Sequence, residues 1–387
     1  MTPINILKRG FRLEYLTSGV FQGQGFLVRR AVPLKYGPDD QYATDVDVLG
    51  IKFTNPFQPH RIICDCKERI RSKPFERIFW VKGLASSVDA LEAYITLPKV
   101  SWDIIDFARS VKVRILTKEI LEDTFIKTNG EGGKPCGLAN QDFYEPFYQR
   151  LTPISKKDKV ASEILFRTRT LYLVNDPYVS LNIAMSHLSN CAEALRKIDK
   201  SIDVYDLWRF IAADLIVVIS LLFLYIASDT IGFTKTERQR HIMNRLTYGD
   251  ISESKAKEIF SLAKELAMEA AKISSPKVSI QSLLPFDIGK IDPPSFAANV
   301  VGLIDRAFAS PSLYHGLPQL IDFLLFEQAL QNKGFSDEEY RRTFPNAKQS
   351  ERLKVARNIF VFVRDSAGID LNVFWPHEEQ NLPKMNT

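Results

Sequence analysis

Cysteine is scarce: the chain has four in 387 residues, at positions 64, 66, 136 and 191. Cys64 and Cys66 are one residue apart and no second pair follows, which excludes a zinc finger or ribbon. So few thiols also argue against a disulfide-stapled fold, and they point to reduced cysteines and a cytoplasmic location. Histidine is equally sparse. His60, His187, His241, His315 and His377 are scattered, and no two have metal-site or acid–base spacing. The one glycine cluster, Gly130 to Gly133, lacks the Gly-Lys-Ser/Thr sequence of a phosphate-binding loop. No apolar stretch follows Lys8, Arg9 and Arg12, so a signal peptide is not expected. Internal repeats are absent. A single long apolar run, Phe210–Ala227, is broken by Asp214 and Ser220. It reaches the lower length limit of a membrane span, roughly 20 residues. An Asp near the bilayer centre would cost about 3 kcal/mol. The expectation is therefore a buried core helix, with no membrane association.

What the chain does contain is ordinary for a folded protein: 45% hydrophobic and 25% charged residues, with a formal net charge of +5. The excess is unevenly placed. Residues 1–125 hold 19 Lys and Arg against 15 Asp and Glu, residues 126–175 hold 8 against 5, and the remainder carries a net −2. A mildly positive N-terminal third is compatible with a polyanionic partner.

Periodicity divides the chain into two parts. Residues 4–22 carry apolar side chains at helical spacing, including Ile6, Leu7, Phe11, Leu13, Leu16, Val20 and Phe21, and Gly23 and Gly25 end the helix. Strands are expected at Phe26–Arg30, Val46–Phe53, Arg61–Cys66, Glu92–Leu97 and Val111–Leu116. Lys35–Tyr42 reads as a polar loop, and Asn55, Pro56 and Pro59 as the turn of a hairpin. Helices are expected at Phe75–Ala90 and, behind Ser101 as N-cap, through Ala108. The order α-β-β-β-α-β-α-β implies a mixed sheet layered by helices over residues 1–125. Residues 126–160, with their glycines, prolines and Lys156-Lys157-Asp158-Lys159, read as a linker. A mostly helical domain is expected over 161–376, with strong helices at Val179–Ile198, Val204–Ser228, Lys235–Leu246, Glu253–Ile273, Pro294–Ala309, Leu317–Lys333 and Gln349–Asp365. The polar tail at 377–387 is expected to be disordered.

The chemistry concentrates in the strand region. In Arg61-Ile62-Ile63-Cys64-Asp65-Cys66-Lys67, strand alternation puts Asp65 and Lys67 on one face and the two cysteines on the other. Asp47 lies on the preceding strand, in Val46-Asp47-Val48-Leu49. Two carboxylates and an ammonium on neighbouring strands suit a hard divalent cation and a phosphodiester. The same residues could instead be solvated, with Asp65 and Lys67 forming a surface pair worth about 0.5 kcal/mol. Arg69, Arg71, Lys73, Arg77 and Lys82 follow closely, either as a phosphate-binding patch or as a solvated helix face. Phe79 and Trp80 are expected in the core, the alternative being a base-stacking platform. The basic helix at Lys235–Arg245 reads as a solvated face, with a nucleic-acid contact as the alternative.

Together, Glu14 on the first helix, Gly25-Phe26-Leu27-Val28, Val46-Asp47-Val48-Leu49, Cys64-Asp65-Cys66-Lys67, Ser101–Ala108 and Val111–Leu116 resemble the PD-(D/E)xK, or restriction-endonuclease-like, superfamily. The Mrr-like branch is the nearest likeness, and it covers about the first third of the chain. The resemblance implies a restriction-endonuclease-like domain in which Asp47, Asp65 and the backbone carbonyl of Cys66 hold Mg²⁺, with Mn²⁺ as substitute. Lys67 would position or deprotonate the attacking water, and Glu14 would orient a metal-bound water. Arg69, Arg71, Lys73 and Arg77 would hold the backbone of DNA, with RNA as the alternative substrate. The implied activity is a metal-dependent endonuclease of the restriction, defence or repair type. The helical domain would serve self-association or a protein partner. Mrr-like enzymes often carry Gln or Glu where this chain has Asp65, and the proline of the superfamily name does not precede Asp47. The alternative is a catalytically silent nuclease-like module that binds nucleic acid or assembles with partners.

Overall fold

The computed structural model describes residues 12–36, 41–67, 73–130, 133–173, 175–200, 202–274, 292–345 and 348–375. Helix α1 (Arg12–Gly23) precedes three strands, β1 (Leu27–Tyr36), β2 (Gln41–Thr54) and β3 (Gln58–Cys66). Helix α2 (Pro74–Ser87) leads to β4 (Glu92–Leu97), α3 (Trp102–Ser110) to β5 (Val113–Thr117), and α4 (Lys118–Asn129) follows directly. The spatial order is β1-β2-β3-β4-β5. The first three strands pair antiparallel and the last three parallel. Chain economy explains this: β2 and β3 are joined by a tight turn, whereas parallel neighbours need a crossover, and α2 and α3 supply it.

Alternation gives the sheet two apolar faces. Val28, Val48, Ile62, Cys64, Cys66 and Tyr94 meet Leu13, Leu16, Val20 and Phe21 of α1, with Leu121 and Phe125 of α4 behind them. Gly19 makes that closeness feasible, because a Cβ there would overlap the Phe125 ring. On the opposite face Leu27, Leu49, Ile51, Ile63 and Ile95 join Ile78, Val81 and Leu84 of α2 in a core that continues into the helical half.

That half contains α5 (Gln141–Lys157), α6 (Lys159–Thr170), α7 (Pro177–Lys197), α8 (Asp203–Asp229), α9 (Lys235–Tyr248), α10 (Glu253–Ser274), α11 (Ala297–Ala309), α12 (Pro311–Tyr314) and α13 (Leu317–Asp322). A π-helical segment, Phe323–Ala329, continues α13, and α14 (Asp337–Thr343) and α15 (Gln349–Ala367) complete the fold. Helix α8 is long and apolar enough to cross a membrane by length and composition, yet 94% of its most apolar window is buried inside the protein. Helices α5, α6, α7, α11, α13 and α15 surround it.

Several expectations need correction. Residues 126–160 are not a linker: they hold the end of α4, a short 3-10 turn at Gly137–Ala139, and α5. Tyr144, Phe147, Tyr148 and Leu151 are buried in the same core as Leu49 and Ile63. Glycines and prolines suggested a break, but the aromatic stripe of α5 has a face to fill against α8. Among the described residues, one apolar core includes side chains of the sheet and of the helices after residue 161. Lys35 and Tyr36 extend β1, and Gln41 and Tyr42 open β2, where a loop was expected. Ser101 stands at the N-cap of α3 without a side-chain capping bond. Residues 1–11, which include the first eight of the nineteen residues of the expected first helix, and the tail at 377–387 lie outside the described residues.

A buried ion cluster ties the sheet to the helices. Arg29 of β1 is buried, and its Nη2 lies 2.8 Å from Asp322 of α13 and 3.3 Å from Asp214 of α8. The Tyr172 hydroxyl donates to Asp214 at 2.5 Å, and Arg169 Nη1 lies 3.8 Å from its other oxygen. Burial opposes the Arg29 charge, but Asp322, Tyr172 and Asp214 outweigh it and raise the pKa of the guanidinium. Asp214 thus has the partners that a buried carboxylate requires.

Two outcomes are expected. Arg29→Met strands two buried carboxylates and should destabilise the fold by about 3–5 kcal/mol, read as a fall in the urea midpoint; an unchanged midpoint would remove this role for Arg29. Burial also pushes the thiols of Cys64 and Cys191 well above their ordinary value. Thiolate is the reactive form, so a disulfide reagent should leave both unmodified in the native protein and label them in denaturant.

Candidate active site

The β2–β3 ladder closes at the pair Val48↔Cys64, so the next residues toward the sheet end, Asp47 and Asp65, stand opposite each other. There the strands part. A carboxylate rather than a strand carbonyl receives the Cys66 N–H, with Asp47 Oδ2 accepting at 2.8 Å. Lys67 follows β3 directly, and its own N–H donates to the Thr96 carbonyl at the end of β4, at 3.2 Å. This fixes the lysine backbone at the sheet edge and directs its ammonium back over the two acids. Lys67 Nζ lies 3.1 Å from Asp47 Oδ2 and 3.2 Å from Asp65 Oδ1. Those two oxygens can be no further apart than the sum of these distances. They therefore fall inside the roughly 8 Å beyond which two carboxylates cannot share a cation held at about 2.1 Å per bond.

Asp65 has a second cation. Arg77, on the first turn of α2, donates from Nε to Oδ2 at 3.1 Å and from Nη2 to Oδ1, a bidentate grip. The four groups balance: two carboxylates face one ammonium and one guanidinium. Burial pushes the Asp47 carboxyl up; Lys67 pulls it back, while Asp65 adds to the rise. Burial lowers the Lys67 pKa, but Asp47 and Asp65 outweigh that and hold it above the ordinary lysine range. A lysine held in its charged form has no lone pair, so in this arrangement Lys67 offers a positive charge and not a base. Asp65 is 5% exposed and is therefore part of the interior.

Glu14 sits elsewhere. It is buried on α1 and lines a small cavity of about 20 Å³ with Ser18, Arg29, Arg30, Tyr148 and Arg169, a lining that includes none of Asp47, Asp65 or Lys67. Ala31 also lines it, between Arg30 and Val32 of β1, which pair with Val48 and Val46 on either side of Asp47. The structure thus joins three of the four expected catalytic side chains directly. Of the expected phosphate contacts, Lys73 is exposed and paired with Glu76 at 2.5 Å. Arg77 is committed to Asp65, and Arg69 and Arg71 lie outside the described residues.

Two features escaped sequence reasoning. Arg77 was grouped with surface cations, although a basic residue on the first turn after a strand–helix connection is well placed to reach back to that strand. Phe79 and Trp80, expected in the core, are exposed. The buried stripe of α2 runs through Ile78, Val81, Leu84 and Ala85, which turns residues 79 and 80 outward.

A divalent cation can be fitted to the donor set. Among the described residues no three His, Cys, Asp or Glu side chains gather as a metal cluster. A cation here would rest on Asp47, Asp65, the Cys66 carbonyl and water. Mg²⁺ accepts such a set, because it keeps several waters and often takes only one or two carboxylates. No protein-family model, no curated protein and no solved structure matches this chain.

Proposed function

We propose that the chain is a divalent-metal-dependent nuclease of the restriction-endonuclease-like type, hydrolysing phosphodiester bonds in DNA. One observation carries the reading: Lys67 Nζ bridges Asp47 and Asp65 at 3.1 and 3.2 Å, at the point where β2 and β3 part. The element order around it and the mixed sheet support the same reading. Asp47, Asp65 and the Cys66 carbonyl would hold Mg²⁺ or Mn²⁺. When bound, the cation supplies charge neutralisation and an acidified water. Lys67, held charged, stabilises negative charge developing on the phosphate. Asp47 also fixes the strand end through the Cys66 N–H, so the lysine and the acids keep one geometry.

The competing reading is a silent nuclease-like module that binds nucleic acid or assembles with partners. The Arg77 grip favours it, because both Asp65 oxygens are already engaged and the cluster is charge-balanced by protein groups alone. Metal binding separates the two. In the nuclease reading, cation and arginine compete for Asp65. Arg77→Ala should then tighten Mn²⁺ binding measured by calorimetry; weaker or absent binding in both proteins would favour the silent module.

Catalysis has its own test. Lys67→Ala should lower plasmid nicking in Mn²⁺ by about 10²–10³, the usual loss for a preorganised charge, while leaving Mn²⁺ affinity largely intact. Asp65→Asn keeps the shape of a buried side chain and should remove both metal binding and nicking. Equal nicking by wild type and both variants would show that this cluster is not the active site.

A further inference from the structure

Arg29 and Arg169 are both buried, and both line the cavity of about 20 Å³ that Glu14 reaches. It lies where α1, β1, the Gly137–Ala139 turn, α5 and α6 meet. That volume holds about one particle the size of a water. Within the lining only Arg30 and Ala31 are half-buried, and the rest is buried, so the way in from solvent is on their side. Three buried N–H groups of these arginines, Arg29 Nε and Arg169 Nε and Nη1, have no hydrogen-bond acceptor among the described residues. Arg169 is 3% exposed, and Asp214 Oδ2 lies 3.8 Å from its Nη1, beyond hydrogen-bond reach. A buried donor without an acceptor costs free energy, so the cavity calls for one.

We propose that this cavity binds one small monatomic anion of the halide class, chloride under physiological conditions, held by Arg29 and Arg169 behind Arg30. The site rests on no part of the nuclease reading.

The charges of the lining favour an anion over a water. Arg29, Arg30 and Arg169 stand against Glu14 alone, and Asp214 and Asp322, the acids that offset Arg29, are not part of the lining. Arg30 donates to the neutral side chain of Gln141 at 3.2 Å. Asp214 already accepts from Tyr172 and faces Arg29, which leaves Arg169 the least compensated of these buried charges. The three cations act together at one point of the lining: burial raises the Tyr148 pKa, Arg169, Arg30 and Arg29 each pull it down, and Asp214 adds to the rise. A halide accepts several charge-assisted N–H bonds at once and donates none, which matches a lining whose unpartnered arginine groups are donors. A water would bring hydrogens of its own to place. Sulfate and phosphate are too large for a space of this size.

The test compares sodium chloride and sodium bromide with sodium gluconate at equal ionic strength, because gluconate is too large for the cavity. Wild type should melt at a higher temperature in either halide, and the gain should saturate with concentration, as linkage to a single site requires. General salt effects act over the whole surface and do not depend on this cavity. Ala139→Val fills the space without removing a charge and should abolish the halide gain. Arg169→Gln should weaken halide binding, read from the midpoint of that gain, by about tenfold or more. Circular dichroism checks that both variants fold, and if Arg169→Gln does not, Ala139→Val decides alone. Crystals grown in bromide should show an anomalous peak in the cavity of wild type and none in Ala139→Val. Equal melting of wild type in halide and gluconate overturns the site, even with a bromide peak present, since the bromide would then be an adventitious ion only. A cavity without a bromide peak also overturns it and leaves water as the occupant. So does a halide gain that Ala139→Val retains in full, because the anion would then sit elsewhere. Nicking plays no part in these readouts, so the site and the nuclease reading stand or fall separately.

Discussion

Much of this structure hangs on one buried arginine. Arg29 leaves β1 into the interior and meets Asp322 and Asp214, which come from helices nearly two hundred residues or more away in the chain. None of these charges tolerates burial alone. Each requires the others, so the sheet can dock on the helices in only one register. Tyr172 and Arg169 fill further positions around Asp214, and the Arg29 guanidinium lies 4.8 Å from the Tyr172 ring centroid. The same contact explains why the apolar run Phe210–Ala227 within α8 carries an aspartate.

That docking frames the candidate site. One face of the sheet is closed by α1 and α4, and the other is continuous with the helical core. The β2–β3 ladder ends beside Asp47 and Asp65 in a sheet that is packed on both faces. The two acids are brought together at a cost, which Lys67 and Arg77 offset. A cluster balanced in this way is stable as it stands, and any cation entering it has to displace protein charge. Under the proposed metal-dependent reading, affinity for the cation would depend as much on how readily Arg77 leaves Asp65 as on the carboxylates themselves.

Most of the strands and long helices were legible in the residues. Amphipathic spacing placed α7, α8, α9, α11 and α15 nearly at their observed bounds, because each buries one face or, for α8, nearly all of it. Helix α10 also stands near its expected bounds, although Ile259, Phe260, Leu262 and Leu266 are exposed. The shared face of Asp65 and Lys67 was legible too, since alternation assigns strand faces without reference to distant parts of the chain, whereas the place of Asp47 beside them was implied by the resemblance. Residues 126–160 were misjudged for the opposite reason. Their prolines and glycines signal a break locally, and only the apolar surface of α8 gives Tyr144, Phe147 and Tyr148 somewhere to go.

The sequence by itself determined most of the strands and long helices and placed Asp65 and Lys67 on one strand face, because these follow from periodicities of 3.6 and 2.0 that act over a few neighbours. Only the tertiary structure decided which cation serves which acid, that Arg77 grips Asp65, that Arg29 joins the two halves of the chain, and that Phe79 and Trp80 face solvent. Those outcomes depend on which surfaces are left uncovered after distant segments have packed, and no local pattern of residues records that.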